Sequence, residues 1–267
     1  MELDTFSLET MTCDVRDGVA HVRFTRPDGA NAVSPAFSRD LRNVLIAIEF
    51  NDEVRAASFT AEGKVFCGGG DLKLFHSLGD ALPQAAADMI VDFHGAIYKM
   101  NRIPKPCVAG VRGAAGGAGL SLMSAFDLVV SAESAKYTMA YTRAGVTPDG
   151  TSSYFIARHI GLRRMMDLTL TNRVLSAQEA ESWGLVNRVV PDDQVDAESA
   201  ALAQSLADGP AFATGNAKRV IYHGYEHGLE EAGEFEGTMI TNAMKTHDGR
   251  EGIAAFAEKR KPDFNGS

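Results

Sequence analysis

The sequence predicts an α/β fold with an α-helical C-terminal region. Short apolar runs of strand length alternate with helical segments as far as Val190. From Asp192 onward every patterned segment has helical spacing and none reads as a strand. Two glycine-rich turns, Gly63–Leu72 and Gly110–Gly119, each follow a strand-like run. The expected organisation is a core over residues 1–191 and a helical region over 192–267 that packs on the core or on another subunit.

The elements follow in order. Residues 1–10 read as a loose arm. Strands Thr12–Val15 and Val19–Thr25 are split by Asp17-Gly18, a hairpin turn pair. Arg26–Asn31 is a loop. Ser34-Pro35 supplies an N-cap and a first helical position, and Phe37, Leu41, Val44, Leu45 and Ile48 fall on one face of the helix. A strand spans Ala56–Ala61. The segment from Gly79 to about Asp88 has the weakest pattern and is expected to be mobile. The helix after it, with Ile90, Phe93, Ile97 and Met100 on one face, is ended by Pro104 and Pro106. The central stretch reads strand, glycine turn, short buried helix near Ala118–Ala125, then strand from Leu128. A loop from Tyr141 to Gly150 precedes helices Thr151–His159 and Leu162–Thr169. Ser176-Ala177-Gln178-Glu179 is a capping box whose helix stops at Gly184, before a strand over Val186–Val190. Helices are expected at 192–208, 211–223, 229–245 and 248–259.

Composition limits function. The 267 residues are 45% hydrophobic and 23% charged, as in a soluble globular protein. A net charge of −9 argues against nucleic acid or an anionic membrane as partner. The first apolar residues are interrupted by acids, and no run reaches membrane-spanning length. Cys13, Cys67 and Cys107 form neither a disulfide framework nor a metal-ligand spacing, so a cytoplasmic location and no metal are expected.

The glycine turns carry the chemistry. Residues 113–119 have almost no side chains, so a ligand could meet backbone N–H groups and the positive end of the next helix. No Lys follows these glycines, which rules out a phosphate loop. Gly117-Ala118-Gly119 is followed by Leu120-Ser121-Leu122, which breaks the dinucleotide pattern, and Met123 breaks a serine-hydrolase elbow. Two readings remain for this stretch: an oxyanion hole or tight packing through small residues. The presence of two such turns favours the first, because two separated donors on one oxygen suit a thioester enolate.

At this point the sequence resembles the crotonase superfamily, the enoyl-CoA hydratase/isomerase fold. The resemblance rests on Arg26-Pro27 with Asn31-Ala32, on Phe66-Cys67-Gly68-Gly69-Gly70-Asp71-Leu72, and on Gly113–Gly119. It rests also on Leu175–Ala180 with Trp183-Gly184-Leu185-Val186, and on the tail from Arg250 through Phe256 to Pro262. It implies a crotonase-like ββα spiral of two near-perpendicular sheets, with an α-helical C-terminal trimerisation region. It implies a homotrimer or dimer of trimers and an acyl-CoA substrate, with coenzyme A as part of the substrate and no separate cofactor. The N–H groups of Gly68 and Ala118 would then hold the thioester oxygen. Arg26, Ala30, Gly68, Asp71 and Leu72 would lie along the coenzyme A path. Phe256 and Lys259, of this or a neighbouring subunit, would close its nucleotide end. Asp28 stands where the family often has Lys.

The family's hydratases use two glutamates around one water. Ser121 and Tyr141 occupy those positions here, and neither does a carboxylate's work: a Ser hydroxyl is a poor base and a Tyr phenol titrates near pH 10. Ordinary hydration is therefore not expected. Asp149 is the nearest acid. It reads as a helix N-cap on local grounds, but its position resembles that of the working carboxylate in the ring-epoxide phenylacetyl-CoA isomerase and 4-chlorobenzoyl-CoA dehalogenase branches. His94 matches the dehalogenase branch's water-activating histidine, or is a helix histidine near the surface. Tyr141 stands where that branch has a tryptophan. Two enzyme readings follow: an isomerase with Asp149 as acid and base, or a dehalogenase or thioester hydrolase with Asp149 as nucleophile and His94 as base. A non-catalytic acyl-CoA-binding protein is a third. His76, His159, His223, His227 and His247 read as surface residues, and Arg112 and Arg143 as substrate contacts or solvated charges.

Overall fold

In a computed structural model, residues 7–266 are described. Of the expected arm, residues 1–6 lie outside them. Thr10 is buried, because the Asp40 carboxylate accepts from its N–H and its hydroxyl, both at 2.9 Å.

Strands β1 (Met11–Arg16) and β2 (Val19–Phe24) form the expected hairpin. Asp17 and Gly18 both have positive φ, 50° and 80°, which a two-residue hairpin turn requires. A short 3-10 turn, Pro27–Gly29, precedes α1 (Pro35–Phe50), whose N-cap Ser34 accepts from the Phe37 N–H at 3.2 Å. Then come β3 (Ala56–Ala61), α2 (Leu72–Leu78) and α3 (Leu82–Arg102). The supposedly patternless segment is thus largely helical: α3 starts at Leu82 with Pro83 in its first turn. That turn is mostly exposed, so no apolar stripe marks it. The buried face is Met89, Phe93, Ala96, Ile97 and Met100, with Met89 in the place expected for Ile90.

Next are β4 (Cys107–Val111), β5 (Ala114–Gly116), α4 (Ala118–Ser124), β6 (Leu128–Ala132) and β7 (Lys136–Thr138). They are followed by α5 (Ser152–Ile160), α6 (Leu162–Thr171), β8 (Leu175–Ser176), α7 (Ala177–Trp183) and β9 (Arg188–Val190). The capping box of α7 is present, with Ser176 and Glu179 bonded to each other's backbone. Helices α8 (Val195–Ala207), α9 (Ala211–Glu226), α10 (Leu229–Ala243) and α11 (His247–Glu258) complete the chain.

The strands form two sheets. One has six strands in the order β1-β2-β3-β4-β6-β9, parallel except for the β1–β2 hairpin. The other has three, β5-β7-β8. A phenylalanine cluster, Phe24, Phe37, Phe59, Phe66 and Phe126, fills the core beside the large sheet. Helices α1 and α3 pack on each other and are tied at their rims by Arg42–Asp92 and Lys99–Glu49 ion pairs. No described helix is long and apolar enough to cross a membrane.

The C-terminal helices are not equivalent. Helix α8 forms a layer on the large sheet, with Ala203 and Ala207 packed against Val19, Ala56 and Val108. Helix α9 is anchored by a buried ion pair: Lys218 Nζ lies 2.8 Å from an Asp127 carboxylate oxygen, which also accepts the Cys107 N–H at 2.8 Å. Lys218 donates in addition to the Met100 carbonyl. Helix α10 buries no residue and rests on α9.

Burial holds the Asp127 carboxyl above its ordinary range, against the pull of Lys218. Lys218→Met removes that pull and leaves a buried unpaired carboxylate. The expected loss at neutral pH is about 3–5 kcal/mol. A raised folded-state pKa opposes folding at pH values above it and ceases to do so once the group is protonated. The deficit relative to wild type should therefore shrink as pH falls towards the acid range. Urea unfolding of both proteins across that range measures it.

Candidate active site

The site is built where the two glycine turns meet. Asn31 holds the first loop in place: its side chain accepts the Arg26 N–H and donates to the carbonyls of Glu62 and Val65 at 3.0 and 2.8 Å. The turns then run backbone against backbone. Gly116 N–H donates to Cys67 O at 3.1 Å, and Cys67 bridges to Ala115. A Cβ on Gly119 would stand 2.1 Å from the Cys67 carbonyl oxygen, so no other residue fits there. One on Gly69, where φ is +109°, would stand 2.9 Å from Gly116 O and 3.7 Å from Ala118 N.

This packing corrects one expectation. The Gly68 N–H donates to the Ala30 carbonyl at 2.9 Å, so it is not a free donor. Val33 N–H bonds Gly69 O, and Asp71 N–H bonds Val33 O. Gly70, between those two rungs, therefore turns its own N–H to the opposite side. Among the described residues no acceptor takes the N–H of Gly70 or of Ala118. Ala118 opens α4, whose first N–H groups have no intrahelical partner. The donor pair offered by the structure is thus Gly70 and Ala118.

Several expected binding residues surround it. Ala30 is left-handed, at φ 53°, which aims its carbonyl at Gly68. Asp71 caps α2 through the Leu74 N–H at 3.1 Å and faces Arg26 at 3.7 Å; Arg26 also reaches the Ser34 hydroxyl. Leu72 is exposed at the start of α2. Phe256 and Lys259 are not brought to this cluster. They lie at the end of α11, which packs on α9, and Phe256 is 88% exposed. Among the described residues no hydrogen bond or ion pair joins either to the glycine turns.

The two glutamate positions hold a closed hydrogen-bonded pair. Ser121 Oγ and Tyr141 OH are 2.8 Å apart, and Tyr141 OH donates to the Asp149 main-chain carbonyl at 3.1 Å. Burial pushes the Tyr141 phenol up, away from any role as a proton donor at neutral pH. Burial also pushes the Cys67 and Cys107 thiols up to about 12, which removes them as nucleophiles.

Asp149 is not a helix cap. The residue before α5 is Thr151, left-handed and without a side-chain cap. Gly150, at φ 63°, nests so closely that a Cβ would stand 2.8 Å from the Phe93 ring and 2.9 Å from Ser121 Cβ. That contact brings the loop onto α3, where His94 follows Phe93. The result is a direct bond: His94 Nε2 lies 2.8 Å from Asp149 Oδ1, with both side chains partly buried. The pair opens onto a cleft of ≈ 510 Å³ lined also by Tyr98, Arg102, Tyr154 and Glu226. Arg112 is held by Asp196 at 2.9 Å, and Arg143 donates to the Asn172 carbonyl.

The geometry is thus two unpaired backbone donors, a carboxylate–imidazole pair and a cleft that adjoins that pair. The enoyl-CoA hydratase/isomerase family model matches residues 14–267. The chain belongs to this family, within the crotonase superfamily. It is 31% identical to the 1,2-epoxyphenylacetyl-CoA isomerase of Escherichia coli strain K12, covering 97% of this chain and 99% of that one. It is 34% identical to 4-chlorobenzoyl coenzyme A dehalogenase-2 of an Arthrobacter species, covering 91% and 88%. The crystal structure of an enoyl-CoA hydratase from Polaromonas sp. JS666 superposes with a TM-score of 0.91 at 31% identity, covering 96% and 99%.

Tyr141→Phe removes the hydroxyl that ties Ser121 to the Asp149 carbonyl. Leaving those buried groups short of a partner is expected to cost about 1–3 kcal/mol of stability. Urea unfolding of the variant checks it, with the wild-type circular dichroism spectrum expected to be retained.

Proposed function

We propose that this family member is an acyl-CoA isomerase in which Asp149 removes a proton from the acyl group and returns it elsewhere on the same group. The contact between His94 and Asp149 beside the cleft is the observation that carries this reading. It supplies a carboxylate with a hydrogen-bonded partner close to Ser121 and Tyr141, the positions matched to the hydratase glutamates, which are themselves occupied with each other. As the proton leaves carbon, negative charge moves to the thioester oxygen. The N–H groups of Gly70 and Ala118 are placed to meet it, and each such donor is worth about 2.7–4 kcal/mol in the transition state. Asp149 takes the proton on a carboxylate oxygen, and the enolate collapses when that proton is delivered to a second carbon. The His94 Nε2–H donates to Asp149 Oδ1 and holds the carboxylate in position between the two transfers.

The backbone around Arg26, Ala30 and Gly68 is assigned to the coenzyme A path, with no further cofactor. Exposed apolar side chains on the C-terminal helices, among them Ile221, Leu229, Ile240 and Phe256, support a trimer or dimer of trimers. In such an assembly Phe256 and Lys259 would serve a neighbouring site.

The same contact favours one alternative, in which Asp149 attacks a haloaryl or thioester carbon and His94 activates the water that releases it. Incubation with enoyl-, aryl- and 4-halobenzoyl-CoA thioesters in deuterium oxide separates the two. Isomerisation gives a rearranged acyl group with no gain of water and no release of halide or coenzyme A, and deuterium enters to the extent that the protonated Asp149 carboxyl exchanges with solvent between the two transfers. Halide replaced by hydroxyl, or free coenzyme A, would assign the covalent route instead. Asp149→Asn is expected to lower turnover by about 10³-fold or more while thioester binding persists; unchanged turnover in that variant would remove Asp149 from either mechanism.

A further inference from the structure

At the turn between α9 and α10 three electron-pair donors converge far along the chain from Asp149: His223 in the last turn of α9, His227 just after it, and Glu231 in the first turn of α10. One ligand atom from each lies within 4.8 Å of the other two. His227 has left the helix, with extended backbone, and its ring lies on that of His223 with centroids 3.8 Å apart. The His227 ring is fixed by its Nδ1, which lies 2.9 Å from the His223 main-chain carbonyl. A carbonyl oxygen only accepts, so Nδ1 carries the hydrogen and Nε2 of the neutral ring presents its lone pair. That lone pair faces a Glu231 carboxylate oxygen at 3.5 Å. With the ring unprotonated these two electron-rich groups repel, which either a proton or a metal ion between them relieves. His223 Nε2 is buried and has no hydrogen-bond partner among the described residues, its ring stacked between those of His227 and Phe235. A buried nitrogen without a partner is itself costly.

We infer that His223, His227 and Glu231 bind a divalent transition metal of the zinc class and thereby join α10 to α9. Two imidazoles and one carboxylate suit such an ion, whereas calcium and magnesium prefer oxygen ligands throughout. Ligand atoms at the usual zinc distance stand about 3.4 Å apart on a tetrahedron, and the His227–Glu231 pair is already at 3.5 Å. His223 completes the set by turning its ring out of the stack. The fourth position faces solvent, since His227 and Glu231 are exposed, and takes water. The ion gives α10, which buries no residue, a second tie to the fold. This revises the expectation that both histidines are plain surface residues and that the chain holds no metal.

The test uses the full chain, stripped of metal by chelator and of any affinity tag, titrated with zinc chloride by calorimetry. One ion per chain and a raised melting temperature are expected. His227→Gln and Glu231→Gln, both at exposed positions, should each weaken binding by about tenfold or more with an unchanged circular dichroism spectrum. No stoichiometric binding would overturn the assignment. So would binding that neither variant weakens, which would place the ion elsewhere, or a preference for calcium or magnesium over zinc.

Discussion

The approach of Cys67 to Gly116 and Gly119 is the constraint on which the rest of the structure depends. Two main-chain segments lie in contact there with no side chain between them. Gly119 is obligatory because the space for a Cβ is filled by the Cys67 carbonyl oxygen. The contact joins the large sheet to the small one through the Cys67–Ala115 bridge, and it sets the N-terminus of α4 beside the first turn. It also determines which N–H groups are spent and which remain. Gly68 is consumed in holding the Ala30 loop, and Gly116 in holding Cys67. Gly70 is left over by the alternation of the backbone and Ala118 by its place at the start of α4, neither being selected by any side chain.

A second nested glycine does the same for Asp149 and His94. Gly150 fits between Phe93 and Ser121, and this decides that Asp149 meets His94 instead of capping α5. The Ser121–Tyr141 pair then has a structural role. The two hydroxyls bond each other at the positions where the resemblance leads one to expect carboxylates in a hydratase, and Tyr141 OH donates to the Asp149 main-chain carbonyl. Replacing acids by hydroxyls removes two buried charges and keeps the hydrogen bonds that position the loop.

Much of this was legible in the sequence where one residue carries the signal. Asp17-Gly18, Ser34-Pro35 and the Ser176–Glu179 box each declare their element through local backbone chemistry. The strands β5, β7 and β8 were not legible. They are two or three residues long and exist because partners distant in sequence supply their hydrogen bonds. The start of α3 escaped because an exposed Ala-rich turn has helix propensity but no apolar period. At the site, His94 and Asp149 could be singled out separately, but no local rule joins residues 55 positions apart in the chain. The Gly68-for-Gly70 error has the same origin. Three consecutive glycines, Gly68 to Gly70, say that donors exist, and only the register against Val33 says which N–H is left unpaired.

The two halves of the site therefore differ in what sequence change can do to them. The donors belong to the main chain, and a side-chain substitution removes neither; it can only break the fold that aims them. The groups that would move protons are side chains on α3 and on the loop before α5, seated on surfaces set by Phe93, Gly150 and Ser121. They can change identity without disturbing the contact between the glycine turns. A fixed pair of backbone donors beside a replaceable set of acids and bases lets one fold keep its means of stabilising an oxyanion while its proton chemistry changes. In this chain the hydratase carboxylates are absent and a carboxylate–imidazole pair stands nearby. That is the kind of change such a division permits while the fold stays that of the enoyl-CoA hydratase/isomerase family.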